Sequence, residues 1–193
     1  MTRDYPFPAY IFDCDGTLAA SMRLHHDAWE YAVSQQYPGW AFPWKFFCSL
    51  GGMTTGDTCD ILDEHYGFKL DVRAVRRDTH AFLDKHLEDV SPIPEVCNYA
   101  RRLAAVGAKL AVASGGYRDD VLRILKAIKV ADIFPVVVAV EDVKNCKPAP
   151  DLFLLAAEKL GVPAELCCVI EDSPKGYDAA EAAGMACVMV CPF

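Results

Sequence analysis

Five short hydrophobic runs along the chain have the pattern of buried β-strands. Each run is nearly continuous and lacks the alternation of apolar and polar residues that marks a strand with one solvent-facing side. Such runs are typical of parallel strands that are covered by helices on both faces. The predicted strands are Tyr10–Asp13, Lys109–Ala113, Val136–Val140, Cys167–Ile170 and Ala186–Val190.

Helical patterns separate the last four of these runs. Apolar residues recur there at intervals of three and four, and Gly107, Gly161 and Gly184 stand where three of the helices should end. Strands that alternate with helices predict an α/β fold with a Rossmann-like parallel sheet. The predicted helices are Glu95–Val106, Tyr117–Ile128, Asp151–Leu160 and Lys175–Ala183.

The segment from residue 19 to residue 88 contains no comparable strand pattern. Its apolar spacing is helical, and turn-forming residues flank it at Asp15-Gly16 and at Ser91-Pro92-Ile93-Pro94. We therefore expect residues 19–88 to form a helical cap domain, inserted after the first strand of a core domain made of residues 1–18 and 89–193. The predicted cap helices are Leu24–Gln36, Thr55–Tyr66 and Val72–Leu87.

The composition is that of a globular protein with a substantial core. The 193 residues are 53% hydrophobic and 24% charged. No apolar run approaches the ~20 residues needed to span a bilayer, and the first residues lack the regions of a signal peptide. We therefore expect a cytoplasmic protein without a membrane partner. The nine cysteines, an odd number without paired spacing, are expected to be reduced thiols.

The net charge of −8 restricts the partners. Nucleic acid is a poor partner for an acidic chain that has no basic stripe. A small anionic substrate would be repelled at long range, so its site needs local positive charge from a metal ion or a lysine. We expect a monomer that acts on a small molecule.

Polar and charged residues follow four of the predicted strands, where ligands bind in an open parallel sheet. Clustered carboxylates repel one another unless a cation lies among them, and hard oxygen ligands favour Mg²⁺. Glycines at a helix start offer N–H groups to a phosphate, and a lysine offers positive charge. The residues at these strand ends are Asp13, Asp15, Ser114, Gly115, Gly116, Lys147, Glu171, Asp172 and Ser173.

This set of residues suits phosphoryl transfer through an aspartate. One carboxylate can attack phosphorus to form an aspartyl phosphate, and a second can protonate the leaving oxygen and later deprotonate water. We assign Asp13 as the nucleophile and Asp15 as the acid and base, with Ser114 and Lys147 completing the catalytic set. An isolated Asp-x-Asp-Gly would most simply be a turn, but the three other strand ends favour the catalytic interpretation.

Four short motifs resemble those of the haloacid dehalogenase superfamily. "DCDGT", "ASGG", "KPAP" and "EDS" occur in that order and begin at Asp13, Ala113, Lys147 and Glu171. The likeness covers nearly the whole chain and is closest to the β-phosphoglucomutase-like branch, which includes fructose-1-phosphate and 6-phosphogluconate phosphatases. The resemblance implies the fold of that superfamily, with a helical cap after the first motif.

The resemblance also implies the ligands of the cofactor. Mg²⁺ is expected on the Asp13 side chain, the Asp15 backbone carbonyl and Asp172, with Glu171 either a direct ligand or one step removed. Ser114 and Lys147 are expected to hold the phosphoryl group.

The cap resembles the branch only in part. "HHDAW" places His25 where relatives carry a histidine over the active site, and Gly52 and Thr54 lie in a loop, "LGGMTTGD", that could contact substrate. Relatives often have an acidic residue and a Ser or Thr shortly after the first motif, where this chain has Ala19-Ala20-Ser21-Met22. The loop also lacks the arginine with which the mutases grip a second phosphate.

We therefore expect a Mg²⁺-dependent phosphatase that hydrolyses a small phosphorylated sugar or sugar acid through an aspartyl phosphate. A β-phosphoglucomutase-type mutase is the alternative, with the basic residue supplied by Arg73, Arg76, Arg77 or Lys85. A dehalogenase usually lacks the second aspartate, which is Asp15 here. A receiver-type signalling domain has its acidic pair before the phosphoacceptor strand and contains no helical insert.

Overall fold

A five-stranded parallel sheet forms the centre of the computed structural model, which describes residues 6–190. The first five and last three residues of the predicted core domain lie outside this range. The strand order β3-β2-β1-β4-β5 places β1 in the middle of the sheet. The strands are β1 (Ala9–Phe12), β2 (Lys109–Ala113), β3 (Val136–Val138), β4 (Cys167–Glu171) and β5 (Ala186–Met189).

The predicted strands are confirmed with small changes in their bounds. The third is shorter than its prediction, because the chain leaves the sheet after Val138 and a short 3₁₀-helix begins at Val140. The described residues also form eight α-helices, of which the first four belong to the insert. The helices are α1 (Met22–Ser34), α2 (Trp44–Ser49), α3 (Thr55–Tyr66), α4 (Val72–His86), α5 (Pro94–Ala105), α6 (Arg118–Ala127), α7 (Asp151–Leu160) and α8 (Pro174–Ala182).

Local signals fix the ends of several helices. Thr54 caps the start of α3, because its hydroxyl oxygen accepts a hydrogen bond from the Asp57 amide. Gly67, in the left-handed conformation, caps the end of the helix. Asp71 caps the start of α4, because its carboxylate accepts hydrogen bonds from two backbone N–H groups. The α2 helix was not predicted, because its six residues are too few for an apolar pattern to repeat.

The central strand is buried on both faces. Tyr10 and Phe12 point toward the layer that contains α5 and α6, whereas Ala9 and Ile11 point toward α7 and α8. All four side chains are 1% exposed or less. This double cover is the physical reason why β1 is apolar throughout instead of alternating.

The inserted helices have a separate apolar core, built around residues such as Phe42, Leu62 and Val75. The two segments that connect the insert to the sheet run side by side. The Ala20 amide donates to the Ser91 carbonyl at 2.9 Å, and the Ile93 amide donates to the Leu18 carbonyl at 2.8 Å. These contacts support the proposed division of the chain into a core domain and a cap domain.

Two further expectations concern the described residues alone. None of their helices has both the length and the apolar character needed to cross a membrane. Their eight cysteines are free thiols.

Candidate active site

The strand register brings the predicted site residues to one edge of the sheet. The Asp13 amide donates to the Ile170 carbonyl at 3.0 Å, and the Ser114 amide donates to the Val138 carbonyl at 3.0 Å. These bonds continue the pairing of β1 with β4 and of β2 with β3 past the strand ends. Asp13 and Ser114 are therefore held by backbone bonds, and both are buried.

Lys147 lies between two carboxylates of different strand ends. Its Nζ atom is 2.5 Å from Asp13 Oδ1 and 2.6 Å from Glu171 Oε1. Burial alone would lower the pKa of this lysine, but Asp13 and Glu171 outweigh that effect and raise its pKa above the ordinary value. Lys147 is therefore a permanent positive charge, and only 4% of it is exposed.

The carboxylates of Asp13, Glu171 and Asp172 form a cluster with the chemistry of a metal site. Each offers an oxygen atom, and these oxygens all lie within 4.8 Å of one another. Burial, together with the charge of Glu171, raises the pKa of Asp172 to about 6. Burial also raises the pKa of Asp13 well above its usual range, although Lys147 opposes this effect. The cluster therefore carries uncompensated negative charge and hard oxygen donors, which fit Mg²⁺.

Glu171 uses both carboxylate oxygens within the protein. Oε1 accepts from Lys147, and Oε2 accepts from the Asp172 amide at 2.7 Å and from the Ser173 amide at 2.6 Å. Burial would raise the pKa of Glu171, but Lys147 and the Ser173 bonds outweigh burial and lower it. We propose that Glu171 orients Lys147 and the turn that carries Asp172, and that it does not bind the metal directly.

Thr17 orients the remaining member of the cluster. Its hydroxyl donates to Asp172 Oδ1 at 2.8 Å, and the residue is fully buried. A side chain at Gly16, which has a φ of +91°, would clash with the same carboxylate. Sequence reasoning missed Thr17 and Ser173 as supporting residues, although the motifs "DCDGT" and "EDS" contain them.

The cap contributes directly to the surroundings of Asp15. His25 lies in α1 and Ser21 directly precedes it, and His25 Nε2 and Ser21 Oγ contact the same Asp15 Oδ1 atom at 2.7 Å and 2.5 Å. Burial would raise the pKa of Asp15, but His25 and Ser21 outweigh it and lower that pKa. Burial would lower the pKa of His25, but Asp15 raises it. His25 thus reaches the core site as expected, whereas sequence reasoning gave Ser21 no role.

The glycine-rich turn after β2 lies against the cap loop. Ser114 Oγ accepts a hydrogen bond from the Gly116 amide at 3.0 Å. A side chain at Gly115 would come within 3.3 Å of the Gly52 carbonyl. Gly52 lines the cavity above the site. Thr54 is not among the described residues that line this cavity. Its hydroxyl caps the start of helix α3 instead.

A network of charged side chains ties the cap to the core beside the cavity. His80 Nδ1, on α4, lies 2.6 Å from Asp120 Oδ1, on α6. Arg123 Nη1 lies 3.3 Å from His80 Nε2 and 2.9 Å from Asp84 Oδ1. His80 therefore bridges α4 of the cap to Asp120 and Arg123 of α6.

Replacing Arg123 with Met should weaken this attachment of the cap. We expect the KM for substrate to rise about twofold to fivefold, because partly exposed ion pairs contribute modestly. The matched control is Arg77→Met, since Arg77 pairs with Asp78 within the cap helix itself. Steady-state kinetics of the two variants check the prediction, and equal KM values would contradict it.

Comparisons with known proteins find relatives along nearly the whole chain. A sequence profile described as Haloacid dehalogenase-like hydrolase matches residues 10–190. The fructose-1-phosphate phosphatase YqaB of Escherichia coli (strain K12) is 33% identical over 189 residues, covering 95% of this chain and 96% of that protein. Protein CbbY of Rhodobacter capsulatus is 30% identical over 190 residues, covering 94% of this chain and 84% of that protein.

A solved structure shows the same fold. The crystal structure of β-phosphoglucomutase from Clostridium difficile has a TM-score of 0.85 and 24% sequence identity, covering 95% of this chain and 84% of that chain. The profile match spans nearly all of the sequence, and the relatives agree with the branch expected from the motifs. The chain therefore belongs to the haloacid dehalogenase-like hydrolases, and its relatives are those of the β-phosphoglucomutase-like branch.

Proposed function

We propose that this protein is a Mg²⁺-dependent phosphatase that hydrolyses small sugar phosphates through an aspartyl phosphate. The observation that carries the proposal is the buried Lys147 ammonium, which contacts Asp13 directly at the floor of the cavity. The names of relatives support it, because YqaB is a fructose-1-phosphate phosphatase. Mg²⁺, held by Asp13, Asp172 and the Asp15 backbone carbonyl, would offset charge on the phosphoryl oxygens.

In the first step, an Asp13 oxygen attacks phosphorus in line, and the bond from phosphorus to the leaving oxygen breaks. Lys147 offsets negative charge on the phosphoryl oxygens. Because His25 and Ser21 lower the pKa of Asp15, its protonated form is the minor one, and this form gives its proton to the leaving oxygen so that the product is a neutral alcohol. His25 and Ser21 then stabilise the Asp15 carboxylate that remains.

In the second step, Asp15 accepts a proton from water while the water oxygen attacks phosphorus. The bond from phosphorus to Asp13 breaks, which releases inorganic phosphate and restores the Asp13 carboxylate. Ser114, Gly115 and Gly116 line the same cavity. We assign them the role of orienting the phosphoryl group during both steps.

The mutase alternative receives less support from the charges of the cap. A mutase needs a basic residue that grips a second phosphate. None of the candidates Arg73, Arg76, Arg77 and Lys85 is among the residues that line the cavity. The Arg76 guanidinium stacks on the Tyr117 ring, and Arg77 pairs with Asp78.

Phosphate release from a panel of substrates tests the proposal. The panel is fructose 1-phosphate, 6-phosphogluconate and β-glucose 1-phosphate, each with Mg²⁺ and with EDTA. We expect Mg²⁺-dependent release of inorganic phosphate. Conversion of β-glucose 1-phosphate to glucose 6-phosphate without release would establish the mutase instead.

Replacing Thr17 with Val should raise the Mg²⁺ concentration needed for half-maximal activity about tenfold, since outer partners of a metal ligand typically contribute 10- to 100-fold. The change removes the hydroxyl that orients Asp172 and keeps the side-chain volume nearly constant. Thr17→Ser keeps the hydroxyl and should require Mg²⁺ at nearly the wild-type concentration. Mg²⁺ titrations of activity and of Tm check this, and an equal requirement in both variants would refute it.

A further inference from the structure

The cavity extends well beyond the phosphoryl site, and its upper part is mainly apolar. It has a volume of about 750 Å³ and lies between the strand ends and the cap. The cap walls include the side chains of Met22, Trp29, Trp44, Phe47, Met53 and Leu83. Trp44 lines this space and is 43% exposed, although the His26 and Phe47 rings and the Arg23 guanidinium lie beside its ring.

The positive charges that line the cavity are already paired. Among the described lining residues, the basic side chains are Lys147, Arg23 and His25, and His25 contacts Asp15 at 2.7 Å. Lys147 is bonded to Asp13 and Glu171 at the floor. Arg23 pairs with Asp27 at 3.1 Å, and its side chain is 72% exposed at the rim.

A negative charge occupies the wall where a second anion would need compensation. Asp120 lines the cavity, and its side chain is only 12% exposed. One of its oxygens contacts His80 Nδ1, and His80 itself is not among the described residues that line the cavity. A second phosphate or a carboxylate on the substrate would therefore lose its hydration without gaining a cation.

We propose that the site selects phosphate monoesters whose leaving alcohol is uncharged and has an apolar or aromatic body. Trp44 and Phe47 contact that body, and bisphosphates and phosphorylated acids are disfavoured. The inference rests on the proposed phosphatase function and narrows its substrate class. It predicts that phosphorylated sugar acids are poor substrates, whereas the sequence did not distinguish them from neutral sugar phosphates.

Three synthetic esters with primary-alcohol leaving groups test the inference. They are 2-phenylethyl phosphate, n-propyl phosphate and 3-phosphonopropyl phosphate, whose second anion cannot be hydrolysed. We expect kcat/KM to fall in that order, with at least about a tenfold difference between the first and the last. A 3-phosphonopropyl ester that reacts as well as the n-propyl ester would overturn the inference.

Two variants locate the selectivity in the cavity. Trp44→Ala should lower the preference for the phenylethyl over the propyl ester about tenfold, because stacking on an aromatic ring is lost. Its control is Tyr31→Ala, since Tyr31 is 42% exposed on the cap but does not line the cavity. Met53→Lys should raise the relative rate of the phosphonopropyl ester about tenfold, whereas the exposed-surface control Leu166→Lys should not. Equal effects of a variant and its control would contradict the assignment.

Binding separates failure of the inference from failure of the proposed function. If neither these esters nor the sugar phosphates of the panel release phosphate, the phosphatase proposal fails while the selectivity remains measurable. Calorimetric titration of the same three esters into Asp13→Asn with Mg²⁺ then ranks their affinities. The same order supports the inference, and equal or reversed affinities overturn it.

Discussion

Replacing Asp13 with Asn should lower phosphate release by at least about 10³-fold, the scale of loss when a nucleophile is removed. The amide is a poor nucleophile for phosphorus and cannot form the aspartyl phosphate. Residual turnover within tenfold of wild type would remove Asp13 from its assigned role. The matched control is Asp132→Asn, an exposed aspartate outside the site.

The same variant should remain folded and should be at least as stable as wild type in EDTA. The pKa of Asp13 is raised in the folded protein, chiefly by burial and by Glu171 and Asp172. A group with a raised folded-state pKa stabilises the protein when protonated and loses that contribution as pH rises through its folded-state pKa. An uncharged Asn avoids this loss at pH 7. Thermal unfolding of both proteins in EDTA checks the direction of this change in stability, and a lower Tm for the variant would contradict the prediction.

Replacing Lys147 with Met should have the largest effect on stability. The change leaves the buried Asp13 and Glu171 carboxylates without their shared ammonium. Breaking a buried ion pair by removing one partner costs about 3–5 kcal/mol. Activity should fall as well, because no other lysine or arginine lies at the cavity floor among the described residues. Urea unfolding at pH 7 measures the loss of free energy.

The stability loss in Lys147→Met should shrink as the pH is lowered. In wild type, the pKa of Glu171 is lowered from its ordinary value of 4.5, so its stabilising contribution is present above that value and is lost as pH falls. In the variant, burial without the ammonium raises the carboxyl pKa values, so stability is lost as pH rises. The difference in unfolding free energy between Lys147→Met and wild type should therefore be smaller at pH 5 than at pH 8.

An exposed lysine provides the control for this experiment. Lys144 lies in the same loop before α7, and Lys144→Met should unfold with wild-type stability at both pH values. A uniform loss in Lys147→Met at both pH values would indicate a packing defect and would exclude the electrostatic explanation.

The sequence alone determined the architecture and the set of polar residues that we propose as the active site. Continuous apolar strands alternating with helices specified the parallel sheet, because only strands covered on both faces need no polar side. The polar residues after those strands, from Asp13 to Asp172, specified the site, because parallel strands place their carboxyl ends at one edge. Helix α2 escaped prediction because a six-residue helix is shorter than two turns.

Contacts between distant segments were decided only by the tertiary structure. The bond from Thr17 to Asp172 joins residues 155 positions apart, and no periodicity encodes it. The sequence likewise could not predict that one carboxylate oxygen of Glu171 accepts from Lys147 while the other accepts from the turn that follows β4. The paired state of Arg23 and the buried Asp120 at the cavity wall also depend on how the cap packs against the core. Composition gives the number of charges, whereas only the fold determines which of them are already compensated. The substrate selectivity that we propose rests on that balance.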